Sequence, residues 1–161
     1  MLIGEVFNRM ISEWSLLEKD MKEKGKQIVS KPPVHPLLDD IDMVFLIRSD
    51  VDGNKVRQYT NEVRLIINND LKPLNENIYD DLNISIEKQK DGSVLAKFKA
   101  PNEKNAQLSL FISYLIHYLK IKDKDFSDAL KDAINDLNSF WSSYSLSRKI
   151  QIGLFGELYI L

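Results

Sequence analysis

Residues 82–99 constrain the fold of this chain more than any other stretch. Leu82, Ile84 and Ile86 alternate with polar residues, and Val94 to Lys99 alternate again. Lys90-Asp91-Gly92-Ser93 lies between them. Asp-Gly is favoured where the backbone must reverse tightly. Period two on both sides of such a turn predicts an antiparallel hairpin reversing at Asp91-Gly92. Further strands are expected upstream. Met43-Val44-Phe45-Leu46-Ile47 is a short apolar run that reads as a buried strand, followed by a turn at Asp50-Val51-Asp52-Gly53-Asn54. A second strand is expected over Val56–Tyr59 and a third over Val63–Ile67. Residues 28–41 read as a loop because Pro32, Pro33 and Pro36 oppose regular structure, and polar residues 68–81, broken by Pro73, read as irregular.

Helical periodicity flanks these strands. Ile3, Phe7, Met10, Trp14, Leu17 and Met21 recur at steps of three and four, which predicts a helix over 3–24 ending near Gly25. Pro101-Asn102 is expected to cap a second helix with a buried stripe of Leu108, Phe111, Ile112, Leu115, Ile116 and Leu119. A third begins near Asp125 and carries Phe126, Leu130, Ala133, Ile134, Leu137, Trp141 and Tyr144; a fourth follows Ser147, a good N-cap. Strands grouped together and then helices grouped together give an α+β fold: an N-terminal helix, about five mainly antiparallel strands, and three C-terminal helices.

The chain has 161 residues, enough to bury a real core. Its 22 Lys and Arg against 24 Asp and Glu leave a net charge of −2, so no global basic field draws in nucleic acid. The absence of cysteine rules out disulfides and thiolate zinc sites and is consistent with a cytoplasmic protein. No apolar run reaches the ~18 residues of a membrane span, and the N-terminus, with Glu5 early, does not read as a signal peptide.

The last dozen residues, Ile150-Gln151-Ile152-Gly153-Leu154-Phe155-Gly156-Glu157-Leu158-Tyr159-Ile160-Leu161, are nearly all apolar or glycine. Glu157 is their one carboxylate, set within an apolar stripe, where burial is costly without a partner. A helix still fully apolar where the chain stops is what a segment cut from a longer protein would show. Such a stripe is also expected to self-associate through 147–161.

Trp141, Leu146-Ser147, Ile152-Gly153-Leu154-Phe155-Gly156-Glu157-Leu158 and Leu161 together resemble the central block of a bacterial family of PD-(D/E)XK motif proteins. These are restriction-endonuclease-like proteins, often encoded beside methyltransferases and other phage-defence genes. The resemblance implies an N-terminal α+β domain over 1–145 and, from 146 to 161, the first helix of a nuclease domain. It further implies that Glu157 would join a catalytic acidic set in a full-length protein, that Mg²⁺ would be the cofactor there, and that DNA and other defence subunits would be partners. The remaining acids would lie beyond Leu161, so this chain by itself is expected to be inactive.

Other candidate residues carry weaker patterns. Asp20-Met21-Lys22 and Asp70-Leu71-Lys72 have acid-x-lysine spacing but lie on a helix and in a loop, not on a buried strand. Asp39, Asp40 and Asp42 read as a solvated turn, and Asp50, Asp52 and Asn54 as a hairpin turn without the glutamate that a calcium loop needs. His35 and His117 have no histidine at helical spacing, and no phosphate loop is present. Lys88, Lys90, Lys97 and Lys99 line the hairpin; with Arg48, Arg57 and Arg64 they could form a basic sheet face suited to DNA phosphates, interrupted by Glu62, Glu87 and Asp91. Two functions are therefore expected as alternatives. One is the non-catalytic N-terminal portion of a restriction-type endonuclease; the other is a non-enzymatic α+β interaction module.

Overall fold

A computed structural model describes residues 3–33, 41–52, 56–67 and 72–141. The final helix expected over 146–161, with Glu157, lies outside the described residues, as do His35, Asp39, Asp40 and Asp70. The fold is α+β. Helix α1 (Ile3–Lys24) leads into strands β1 (Ile28–Lys31), β2 (Asp42–Asp52), β3 (Val56–Ile67), β4 (Leu74–Tyr79), β5 (Leu82–Lys88) and β6 (Val94–Pro101). A single 3-10 turn (Asn102–Lys104) then opens onto α2 (Asn105–Lys120) and α3 (Phe126–Leu137). Among the described residues, no helix is long and apolar enough to cross a membrane.

The six strands form one antiparallel sheet in the order β1-β2-β3-β6-β5-β4. The expected hairpin is present, with Lys88 opposite Val94 and Ile84 opposite Phe98. Its turn is closed by the Gly92 N–H donating to the Gln89 carbonyl at 3.1 Å, so Lys90 and Asp91, and not the expected Asp91 and Gly92, are its central pair, and Gly92 follows at φ +87°. The Asp91 carboxylate accepts from both the Ser93 amide (2.9 Å) and the Ser93 hydroxyl (2.5 Å). These two bonds hold the Asp91 pKa below the usual carboxylate range.

Several expectations are corrected. Ile28–Lys31 is strand and not loop: β1 pairs with Phe45–Arg48 of β2 before Pro32 ends it. Leu74–Tyr79 is strand and not irregular. It is a polar edge strand whose Asn75 and Asn77 side chains accept from the Asn83 amide at 3.0 and 2.8 Å. The expected second and third strands are one, β3, because Thr60, Asn61 and Glu62 are paired on both sides by β2 and β6, and a paired main chain tolerates polar side chains. Asp50–Asp52 extends β2, and the described residues hold six strands where about five were expected. Asn102 also does not cap α2; the 3-10 turn intervenes without a side-chain cap.

The chain divides into two compact units, Met1–Ile11 with Ala106–Leu161, and Ser12–Asn105. In the first, α2 is buried on every side over Ala106–Ser113, where the Ser113 hydroxyl satisfies itself on the Ser109 carbonyl at 2.6 Å. Asp125 caps α3 by accepting from the Asp128 N–H at 2.8 Å. Tyr118 of α2 donates to Asp136 of α3 at 2.5 Å, and Tyr114 stacks on Phe140 with centroids 6.0 Å apart. In the second unit, the Ser12–Lys24 part of α1 lies on one face of the sheet. Trp14 packs on Phe45 at 5.1 Å between centroids, and Glu13 pairs with Lys31 at 3.0 Å.

Candidate nucleic-acid interface

Antiparallel register sorts the sheet's side chains without ambiguity, because directly paired residues share a face. Phe45, Ile47, Val63, Leu65, Ala96, Phe98, Ile84 and Ile86 share the face on which Trp14 packs, and all are buried. The opposite face carries two polar rows. One runs Val44, Arg64, Lys97, Ser85, Asn75 across β2, β3, β6, β5 and β4; the next runs Leu46, Glu62, Lys99, Asn83, Asn77. Arg48 stands opposite Thr60 in the row beyond.

Four of the six candidate DNA-contacting residues therefore meet on this face: Arg48, Arg64, Lys97 and Lys99. Lys88 does not, since it stands opposite Val94 in the other phase of β5. The Arg57 side chain lies outside the described residues. The hairpin lysines cannot act as one set, since Lys88 and Lys97 differ in phase and Lys90 is in the turn.

Glu62 is the centre of the face. It is only 2% exposed, although it belongs to the polar side of the sheet. One carboxylate oxygen accepts from Arg64 Nε, and the other lies 3.4 Å from Lys99 Nζ. Burying a carboxylate is tolerable when both oxygens are matched by cations. Lys97 Nζ pairs with the exposed Glu87 at 3.3 Å. Arg48 Nε is buried without a hydrogen bond. Among the described residues the face thus holds four cations, Glu62 and Glu87 at its centre, and Asp42 at its margin opposite Ile66. Its described side chains carry one more cation than acid, within a chain of net charge −2.

Nothing in the pattern of the sequence marked Glu62 for this role. It reads as one of the interleaved acids, and only register makes it the shared partner of Arg64 and Lys99. Asn61, its neighbour, was equally unmarked. It is fully buried on the Trp14 side, and neither its amide nitrogen nor its oxygen makes a hydrogen bond; the nearby Ser49 hydroxyl is in the same state.

The remaining candidates are dispersed. Asp20 pairs with Lys24 along α1 at 3.9 Å, as a solvated helix face would. Asp42 is exposed at the start of β2. His117 is half-buried on α2 with its ring edge-on to Tyr118 at 5.6 Å; burial and then Lys122 lower its pKa. Among the described residues, no group of three or more His, Cys, Asp or Glu side chains could hold a metal. Glu157, on which the implied Mg²⁺ depends, is not among them, so no chemistry is derived through that ion. No family profile, curated protein or solved structure matches this chain.

Proposed function

We propose that this chain is the non-catalytic N-terminal portion of a restriction-type DNA endonuclease of the PD-(D/E)XK kind, and that it contributes contacts to the DNA backbone through the polar face of its sheet. The observation that carries the DNA contact is the convergence of Arg48, Arg64, Lys97 and Lys99 on one face of three adjacent strands. Cations spread over a sheet face suit phosphates, which are read by charge and geometry and not by base identity. The nuclease kinship is supported by the resemblance around Glu157, and Mg²⁺ enters only through it.

With a net charge of −2, binding should be weak and fall steeply with salt. Anisotropy of a labelled short duplex at several salt concentrations measures this. The double change Arg64→Ala with Lys97→Ala should reduce the salt slope by about two, one for each phosphate contact removed. Salt-insensitive binding, or a slope unaltered in the double variant, would overturn the reading. The chain should also leave supercoiled plasmid intact in magnesium or manganese. Cleavage that disappears on changing an acid within the chain would refute the non-catalytic assignment.

The pairing of Lys97 with Glu87, and of Arg64 and Lys99 with Glu62, favours a second reading. Cations already matched at home suit a mixed-charge protein partner, as an interaction module would require. Under this reading duplex binding is absent, and light scattering shows the full chain associating while a chain ending at Lys149 remains monomeric.

A further inference from the structure

The way Glu62 meets Arg64 says more than that a charge is neutralised. A guanidinium has five N–H donors: one on Nε and four on the two terminal nitrogens. Glu62 engages Nε. The terminal pair, the fork that matches a phosphate's oxygens, is left at the end of a side chain that is 34% exposed above a carboxylate that is 2% exposed. The carboxylate itself is fixed. Its second oxygen faces Lys99, so it cannot turn away without giving up one cation. Lys97 is the direct register partner of Arg64, and its own counterion Glu87 is 53% exposed. Such a pair is weak in water and readily exchanged for a stronger anion.

We propose that Glu62 is a positioning residue: it holds Arg64 end-on so that the terminal amino groups of Arg64, with the Lys97 ammonium beside them, form a seat for one phosphodiester group of the DNA backbone. The inference rests on the reading of this face as a DNA contact and specifies which phosphate seat the face contains and what builds it. It opposes the simpler view of Glu62 as a countercharge. A countercharge competes with phosphate, so removing it strengthens binding however it is removed. A positioning residue must keep an acceptor at Nε, so the replacement chosen decides the sign.

Two substitutions separate these views at identical net charge. Glu62→Gln retains an oxygen for Nε, whereas Glu62→Met has similar bulk and no oxygen acceptor. Binding of a short labelled duplex to the full chain is measured for both, for the unaltered protein and for Arg64→Ala, across a range of salt. Glu62→Gln is expected to bind at least as tightly as the unaltered chain. Glu62→Met should bind about five- to tenfold more weakly than Glu62→Gln, with a salt slope lower by about one. Adding Arg64→Ala to Glu62→Met should cost nothing more. Equal binding by the Met and Gln variants overturns the proposal while leaving the DNA contact standing. No salt-dependent binding by the unaltered chain overturns both.

A measurement on the unaltered chain keeps the proposal falsifiable should the Met variant fail to fold. The Arg64 Nε–H resonance, assigned by its loss in Arg64→Lys, should be protected from exchange in the free protein and remain so when duplex is added, while the terminal nitrogens shift. An Arg64 Nε–H that exchanges freely, or loses its protection on binding, overturns the assignment.

Discussion

Asn61 and Glu62 are consecutive on β3, point to opposite faces of the same sheet, and are both almost wholly removed from water. Their circumstances are reversed. Glu62, the charged one, lies on the polar face and has a cation at each carboxylate oxygen. Asn61, the neutral one, lies among Ile47 and Ala100 on the apolar face, and its amide has no hydrogen-bonding partner. A buried charge is retained only if matched, because the alternative is severe. A buried amide left unmatched costs about 1–3 kcal/mol, which a domain of this size can carry. The pair teaches that burial alone does not identify a functional polar residue. The partners do: Glu62 organises groups that reach solvent, whereas Asn61 organises nothing among the described residues.

The largest expected effect separates the two faces outright. Phe98→Ala, on the apolar face, should lower stability by about 3–5 kcal/mol through lost burial and the cavity left behind. Lys97→Ala, its neighbour in sequence on the other face, should remain within about 0.5 kcal/mol. Urea melts of the two variants measure this, and comparable losses would mean that the polar face is as load-sharing as the core. Next in size, Glu62→Met should lower stability by about 1 kcal/mol. The figure is modest because Arg64 and Lys99, 34% and 40% exposed, can turn to water when their partner is gone. A loss several times larger would show that the carboxylate is a structural keystone.

Asn61→Leu should act in the opposite direction. It removes two unmatched polar atoms at similar volume, and a gain of about 1 kcal/mol is expected in the same urea melts. A substantial loss would reveal that the Asn61 amide is matched in solution, by an ordered water for example, and would dissolve the contrast with Glu62. The smallest effect lies outside the sheet and serves as its control. Burial and the bond to Asp136 raise the Tyr118 pKa above its ordinary value of 10. The folded chain therefore holds that proton more tightly than the unfolded chain. The contribution is complete below pH 10 and is lost as pH rises beyond it. Tyr118→Phe should flatten the alkaline side of the stability profile, and the sheet variants should leave it unchanged.

How much of this was legible from sequence depends on whether local pattern or long-range pairing decided the outcome. The hairpin over 82–99 was legible because alternation and turn chemistry agreed locally. So were α1, from Phe7 to Met21, and α3, from the apolar stripe that begins at Phe126. Strands β1 and β4 were not, since Ile28–Lys31 and Leu74–Tyr79 are short, polar edge strands that lack an apolar alternation of their own and owe their order to pairing with β2 and β5. β3 appeared broken at Thr60–Glu62 for the same reason: its polar centre is strand only because β2 and β6 supply hydrogen bonds on both sides. Of the candidate basic residues, sequence supplied the right kinds but could not sort them by face. Lys97 and Lys99 could be paired by period two within β6, yet Lys88 falls out of phase with them across the hairpin, and only the ladder reveals it.

By itself, then, the sequence determined the α+β class, the antiparallel hairpin, the helical periodicities and the absence of thiol chemistry. These are properties of residues within about ten positions of one another, where backbone geometry and side-chain period act directly. The tertiary structure alone decided that Arg48, Arg64, Lys97 and Lys99 share one face, that Lys88 does not, and that Glu62 lies buried beneath Arg64 and Lys99. Each of those results depends on the register between paired strands, the β3–β6 pair being far apart in the chain, and a slip of one residue would send a strand's side chains to the other side.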